Sequence, residues 1–135
     1  MPVKVVFGLK DGRSAQKELA DDASKTLWGK KIGDTVAGES IGCSGYEFLV
    51  TGGSDYCGIP MRKDVQGAVR KKILAVKGTG LKQLAKGIRV RFTVCGNTIH
   101  PKIAQVNMRV VKEGNEPLVA PKEDKTAAKK EEPKK

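Results

Sequence analysis

Ile88-Arg89-Val90-Arg91-Phe92-Thr93-Val94 alternates apolar and polar side chains without a break. Successive side chains on a strand point to opposite faces, so this stretch predicts a half-buried strand over Ile88–Val94. Ile88, Val90, Phe92 and Val94 form its inner face; Arg89, Arg91 and Thr93 form the outer one. Upstream, Val69–Val76 reads as a second strand whose exposed residues are cationic. A helix over Val65–Val76 competes, because Val65, Val69, Ile73 and Val76 also fit helical spacing; Gly67 and the β-branched content favour the strand. Lys77-Gly78-Thr79-Gly80 opens a loop that runs to Gly87 and carries Lys82 and Lys86. Downstream, Gly96-Asn97-Thr98 turns the chain into a last strand, Ile103–Lys112.

The same region holds the charge. Ile59–Gly114 contains 13 Lys or Arg against Asp64 and Glu113, a net of +11, whereas residues 1–58 carry −1 and residues 115–135 carry +1. A like-charged block repels itself and adds nothing to folding stability, so a polyanionic partner is expected, nucleic acid first. The bland alternative is a basic surface that only solvates the domain. Segregation of the charges, and their interleaving with apolar strand residues, favours a folded basic face.

The rest of the chain supplies the frame. Its 135 residues suggest one domain, and with residues 115–135 set aside about 114 remain to build a core. A domain of that size buries roughly two-thirds of its unfolded surface. Val3–Leu9 and Ser14–Leu19 flank Asp11-Gly12, a hairpin signal. Asp21 and Asp22 offer an N-cap for a short helix, Ala23–Trp28, closed near Gly29. Trp28, the sole tryptophan, reads as a core anchor. Tyr46–Thr51 is a compact strand with Phe48 and Val50 on one face, followed by a glycine-rich loop, Thr51 to Arg62. Many short strands with tight turns suggest a mainly β fold, a small antiparallel β-barrel with one short helix. Residues 115–135, rich in Lys, Glu, Ala and Pro, read as a disordered charged tail.

Other chemistries find little support. There is no 18-residue apolar run and no apolar segment with a cleavage site near Met1, so a cytoplasmic location is expected and no membrane contact. Cys43, Cys57 and Cys95 are odd in number and widely spaced, which fits free thiols better than a disulfide framework. No Cys-x-x-Cys or Cys/His cluster accompanies His100, the sole histidine, so no metal site or cofactor is expected. Gly52-Gly53-Ser54-Asp55-Tyr56-Cys57-Gly58 lacks the ending of a phosphate-binding P-loop, and Gly78-x-Gly80 lacks a third glycine. Cys95 with His100 is weak evidence for a nucleophile, and Asp55 and Asp64 are too isolated for paired acid–base work.

One family resemblance runs through these residues. Thr51-Gly52-Gly53-Ser54-Asp55 with Gly58-Ile59-Pro60-Met61-Arg62, then Gly96-Asn97-Thr98-Ile99, Gln105-Val106-Asn107 and Val110-Val111-Lys112-Glu113-Gly114, resembles the small-subunit ribosomal protein number six of the archaeal and eukaryotic type (the "S-six-e" family) in its short archaeal form. Lys30-Lys31-Ile32-Gly33-Asp34 matches as well. The resemblance covers about residues 1–114. It implies a β-barrel-containing, non-catalytic component of the small ribosomal subunit that binds ribosomal RNA beside neighbouring ribosomal proteins. Where the family often has basic residues, this chain has Phe92 and Cys95. Eukaryotic members carry a long basic extension with phosphorylated serines, whereas Thr126 is the sole hydroxyl residue after Gly114, so that regulation is not carried over.

Residues 1–114 are therefore expected to form an RNA-binding domain, monomeric in isolation. Arg62, Lys63, Arg70, Lys71, Lys72, Lys77, Lys82, Lys86, Arg89 and Arg91 are expected to contact phosphates. Gly52, Gly53 and Ser54 are expected to bring a loop close to the RNA backbone. With few aromatics in the basic block, recognition of RNA shape is expected over base stacking. A small basic DNA-coating protein is the second reading and an RNA-acting enzyme the third.

Overall fold

Val3, Val5 and Phe7 are buried while Lys4 is exposed, and this alternation sets β1 (Val3–Gly8) into an open, five-stranded sheet. The computed structural model describes residues 2–114 and residue 118. β1 turns at Gly12 (φ +81°) and pairs antiparallel with β2 (Ser14–Leu19), the hairpin expected of Asp-Gly. A short helix α1 (Asp21–Lys25), β3 (Thr35–Ala37), a 3₁₀ turn (Gly38–Ile41) and β4 (Glu47–Asp55) follow. A ribbon of β5 (Arg70–Ala75) and β6 (Val90–Cys95) precedes the last strand, β7 (Ile103–Lys112). The large sheet runs β2-β1-β7-β4-β3, and β5 and β6 pair only with each other.

The sheets do not close, so the expected barrel is corrected to an open sheet with a separate ribbon. Nor is the sheet wholly antiparallel, since β1 and β7 run parallel, with Val5 opposite Val106 and Phe7 opposite Met108. Single bridges, Met61 to Cys95 and Lys31 to Thr98, tie neighbouring loops to the end of β6 and to the turn after it, with no continuous ladder between ribbon and sheet. β7 is the centre of the core: Val106, Met108 and Val110 are buried between β1 and β4. The rings of Phe7 and Phe48, from strands on either side of β7, lie 4.5 Å apart, and Tyr46 stacks on Phe48 at 5.7 Å. Each such buried ring contributes about 1.5–3 kcal/mol of burial.

Three local expectations are also corrected. The helix spans Asp21–Lys25, earlier than Ala23–Trp28, with Ala20 in the N-cap position. The hydroxyls of Ser24 and Thr26 donate back to the carbonyls of Asp21 and Ala23, a local competition that keeps the helix short. Leu27 rather than Trp28 then enters the core; Trp28 is 40% exposed. The third concerns Gly52, Gly53 and Ser54, which lie within β4 opposite Asn107, Val106 and Gln105 rather than in a loop. Bulges on either side hide that strand from a period-two reading, since Thr51 is skipped in the register between Val50 and Gly52. The expected tail, residues 115–135, lies outside the described residues except for Leu118, which packs against the core.

Candidate nucleic-acid interface

Residues directly opposed in an antiparallel pair share a face. The β5–β6 register sets Lys72 opposite Thr93 and Leu74 opposite Arg91, so these four lie on one side of the ribbon. Lys71, opposite Val94, and Ile73, opposite Phe92, lie on the other. The first side is open: Lys72, Leu74 and Arg91 are exposed, Leu74 at 63%. The second is partly covered by the connection between the strands. Gly80 (φ +83°) comes so close that a Cβ there would sit 2.7 Å from Pro60 and 3.0 Å from the Phe92 ring. The ribbon therefore does not gather all the expected cations onto one surface: Lys71 is divided from Lys72 and Arg91.

The inner face expected for Ile88–Val94 is corrected at its start. The strand begins at Val90, and Ile88 and Val90 are exposed, whereas Val94 is fully buried. Alternation records which side a residue takes, but the outer half of the ribbon extends past the core, with only the connection partly covering one side of it.

Lys77, Lys82, Lys86 and Arg89 lie on the connection between β5 and β6, and all are exposed. Lys63 is exposed in the loop after the Met61 bridge. Among the described residues, none of these, nor Lys71, Lys72 or Arg91, makes an ion pair. Arg62 and Arg70 differ. Arg62 donates from Nη2 to Asp64 at 2.7 Å, and its backbone N–H bonds the Cys95 carbonyl.

Arg70 donates from Nε to Oδ2 of Asp55 at 2.6 Å, with Nη2 in ion-pair contact with the same oxygen. The Asp55 side chain is wholly buried, and its Oδ1 accepts the backbone N–H of Tyr56. The hydrogen bond to Asp55, joined by one to Tyr56, raises the Arg70 pKa above the ordinary value. The guanidinium also lies over the Tyr56 ring, 4.8 Å from its centre. The third group on Asp55 is Cys95, whose thiol lies 3.5 Å from Oδ2. Burial, and then the Asp55 charge, push that thiol up to about 11. A thiol held protonated is the reverse of an activated nucleophile.

Gly53 has a structural task, because a Cβ there would overlap the Gln105 carbonyl oxygen across the β4–β7 ladder. At Gly52 there is open space. Sequence reasoning placed no role on Tyr56 or Lys102 and paired His100 with Cys95. In the structure His100 and Lys102 line a cavity of about 360 Å³ with Ala68, Val69, Arg70 and Pro101. No spacing in the sequence signals that cavity, because Val69–Arg70 and Pro101–Lys102 meet only through the fold.

Comparisons with known proteins bear on the chain as a whole. The profile of a family described as Ribosomal protein S6e matches residues 3–122. The chain belongs to the ribosomal protein S6e family. Among its relatives, a protein of Nanoarchaeum equitans is 49% identical over 114 residues, covering 84% of this chain and 83% of the relative. One from Methanosphaera stadtmanae is 45% identical over 118 residues, 87% and 90% of the two chains, and one from Methanococcus maripaludis is 42% identical over 114 residues, 84% and 90%. All three carry the name small ribosomal subunit protein eS6. S6e is a family of ribosomal proteins rather than an enzyme class. No helix among the described residues of this S6e chain is long and apolar enough to cross a membrane.

Proposed function

We propose that this chain is a structural constituent of the small ribosomal subunit, in the cytoplasm, holding ribosomal RNA against the open side of the β5–β6 ribbon. Lys72 and Arg91 on that side, with Lys77, Lys82, Lys86 and Arg89 on the adjoining connection, reach phosphates along folded RNA. Lys63 and Lys71 hold a second strand or helix around the edge of the ribbon. Such contacts release counterions and fix orientation more than they read sequence. The observation that carries this reading is the pairing pattern: eight of the ten expected cations are exposed and unpaired among the described residues. Arg62 and Arg70 instead shape the base of the ribbon through Asp64 and Asp55. Gly52 and Gly53 serve the β4–β7 ladder, with Ser54 beside them.

Sedimentation of native lysate through a density gradient, at low and moderate salt, tests the reading. Co-migration with the small subunit at both salts is the expected result. Migration with chromosomal DNA, or as free 14.5 kDa protein at every salt, overturns it. Competition between duplex DNA and structured RNA separates the DNA-coating alternative, which requires DNA to bind at least as well.

A further inference from the structure

The open side of the β5–β6 ribbon is not uniformly cationic. Lys72 and Arg91 occupy one diagonal of it, and Leu74 and Thr93 occupy the other. Leu74 is 63% exposed, and Val76, directly beyond the end of β5, is 53% exposed. Phosphates satisfy Lys72 and Arg91 but offer nothing to a leucine, which gains only by leaving water against apolar surface. Whatever covers this side therefore carries anionic groups spaced around a partly apolar strip.

We propose that the open side lies in the minor groove of an RNA duplex. Leu74 and Thr93 rest on the riboses, and Lys72 and Arg91 reach the phosphates of the two strands. The inference rests on the RNA-binding reading above and deepens it by naming the form of RNA and the groove. The minor groove of A-form RNA is wide and shallow and displays 2′-hydroxyls, whereas its major groove is too deep and narrow for side chains to read. Ribose carbons supply the apolar strip for Leu74. The Thr93 hydroxyl, both donor and acceptor, matches a 2′-hydroxyl.

The rest of the ribbon fits that placement. Single strands are held by stacking bases on aromatic rings. Phe92, the sole aromatic of β5 and β6, faces the other side, where Gly80 of the connection lies against it. The covered side is thus occupied by the protein itself, and the open side is free to lie flat on a groove. At its base the ribbon is anchored, with Val94 and Cys95 buried and Arg70 held by Asp55, so the platform is preorganised. Lys77, Lys82 and Lys86, exposed on the connection, continue along the phosphates beyond Arg91.

The test uses the full chain and a hairpin RNA with a regular stem, compared with the same hairpin carrying 2′-O-methyl riboses along that stem. Methylation keeps the charge and the A-form helix but crowds the minor groove. It should weaken binding roughly tenfold, read by fluorescence anisotropy. A single strand with the same number of phosphates should also bind several-fold more weakly than the stem. Leu74→Ala, at a site exposed enough to leave the fold unaffected, should weaken binding to the unmodified stem by about threefold to tenfold. Its salt slope should not change, because no charge is lost. The same variant should have little effect on the methylated stem, from which Leu74 is already lifted. Equal affinity for plain and methylated stems, equal affinity for the single strand, or a Leu74→Ala variant that binds as tightly as the unmodified chain overturns the groove assignment and leaves the ribbon reading standing. Absence of binding to any of these RNAs overturns the ribbon reading itself.

Discussion

Asp55 and Arg70, at the end of β4 and the start of β5 and fifteen positions apart in the chain, meet in a charge-assisted hydrogen bond of 2.6 Å. The carboxylate is wholly buried, and the Arg70 side chain is about a third exposed. Asp55 also takes the Tyr56 backbone N–H and faces the Cys95 thiol, so one carboxylate joins β4, β5 and β6. It links the large sheet to the ribbon alongside the isolated bridges.

Asp55→Asn keeps the size of the side chain and removes its charge, leaving Arg70 without a counter-ion. Breaking a buried pair from one side is strongly destabilising, because the remaining charge stays desolvated. The urea midpoint should fall with an unchanged slope, and Asp55→Asn combined with Arg70→Ala should cost less than the two single changes added together. Strict additivity would show that the two residues do not act as a pair.

Gly96→Ala should destabilise the fold by about 1–3 kcal/mol, the usual cost of overpacking. A Cβ there would overlap the carbonyl oxygen of Gly67, and both neighbours are fixed. The Gly96 N–H bonds the Val69 carbonyl, and Asn97 ties down residues 65–67 through its backbone N–H to Val65, its Oδ1 and its Nδ2. Gly52→Ala, where nothing lies within 4 Å, should change stability by less than about 0.5 kcal/mol. Equal effects at the two glycines in urea denaturation would refute this account.

The cysteines should separate by reactivity. With its pKa pushed up to about 11, Cys95 holds roughly a thousandth of its population as thiolate at pH 8. It is buried, as is Cys43, whereas Cys57 is exposed. Iodoacetamide at pH 8 should therefore alkylate Cys57 alone in the folded protein and all three in urea, read by peptide mass. The raised value also has a stability consequence. Above the ordinary thiol value of 9.0 the unfolded chain gives up a proton that the folded chain keeps until about 11, so stability should decline across that window. Cys95→Ala should flatten the decline.

Strand existence was legible where turn residues bound an extended run: Ser14–Leu19 after Asp11-Gly12 and Ile103–Lys112 after Gly96-Asn97-Thr98 stand with the expected bounds. Legibility fails at bulges. Thr51 breaks the period of β4, so Gly52 and Gly53 read as loop although both are paired. Barrel closure was not legible at all, because short strands and tight turns are common to closed and open sheets and only pairing distinguishes them. For the interface, charge segregation located the right stretch, but the side each cation takes depends on the β5–β6 register. The loss of Arg70 to Asp55 was hidden for the same reason: the partner lies in a strand whose alignment with β5 is set by tertiary packing.

Arg89 and Arg91 supply the last prediction. Arg91 shares the open side of the ribbon with Lys72, and Arg89 enters it from the connection; neither has an acidic partner among the described residues. If both meet phosphates, each releases about 0.7–0.9 of a counterion. Replacing both with Ala should then lower the slope of log K against log salt by about 1.4–1.8 for structured RNA. Lys4→Ala is the control: Lys4 lies on β1 and already pairs with Glu18, so the slope should not move. Binding isotherms at several salt concentrations decide the matter, because a general loss of positive charge would shift Lys4→Ala as well. A slope unchanged in the double variant would remove Arg89 and Arg91 from the interface and leave Lys72, with the lysines of the connection, to carry it.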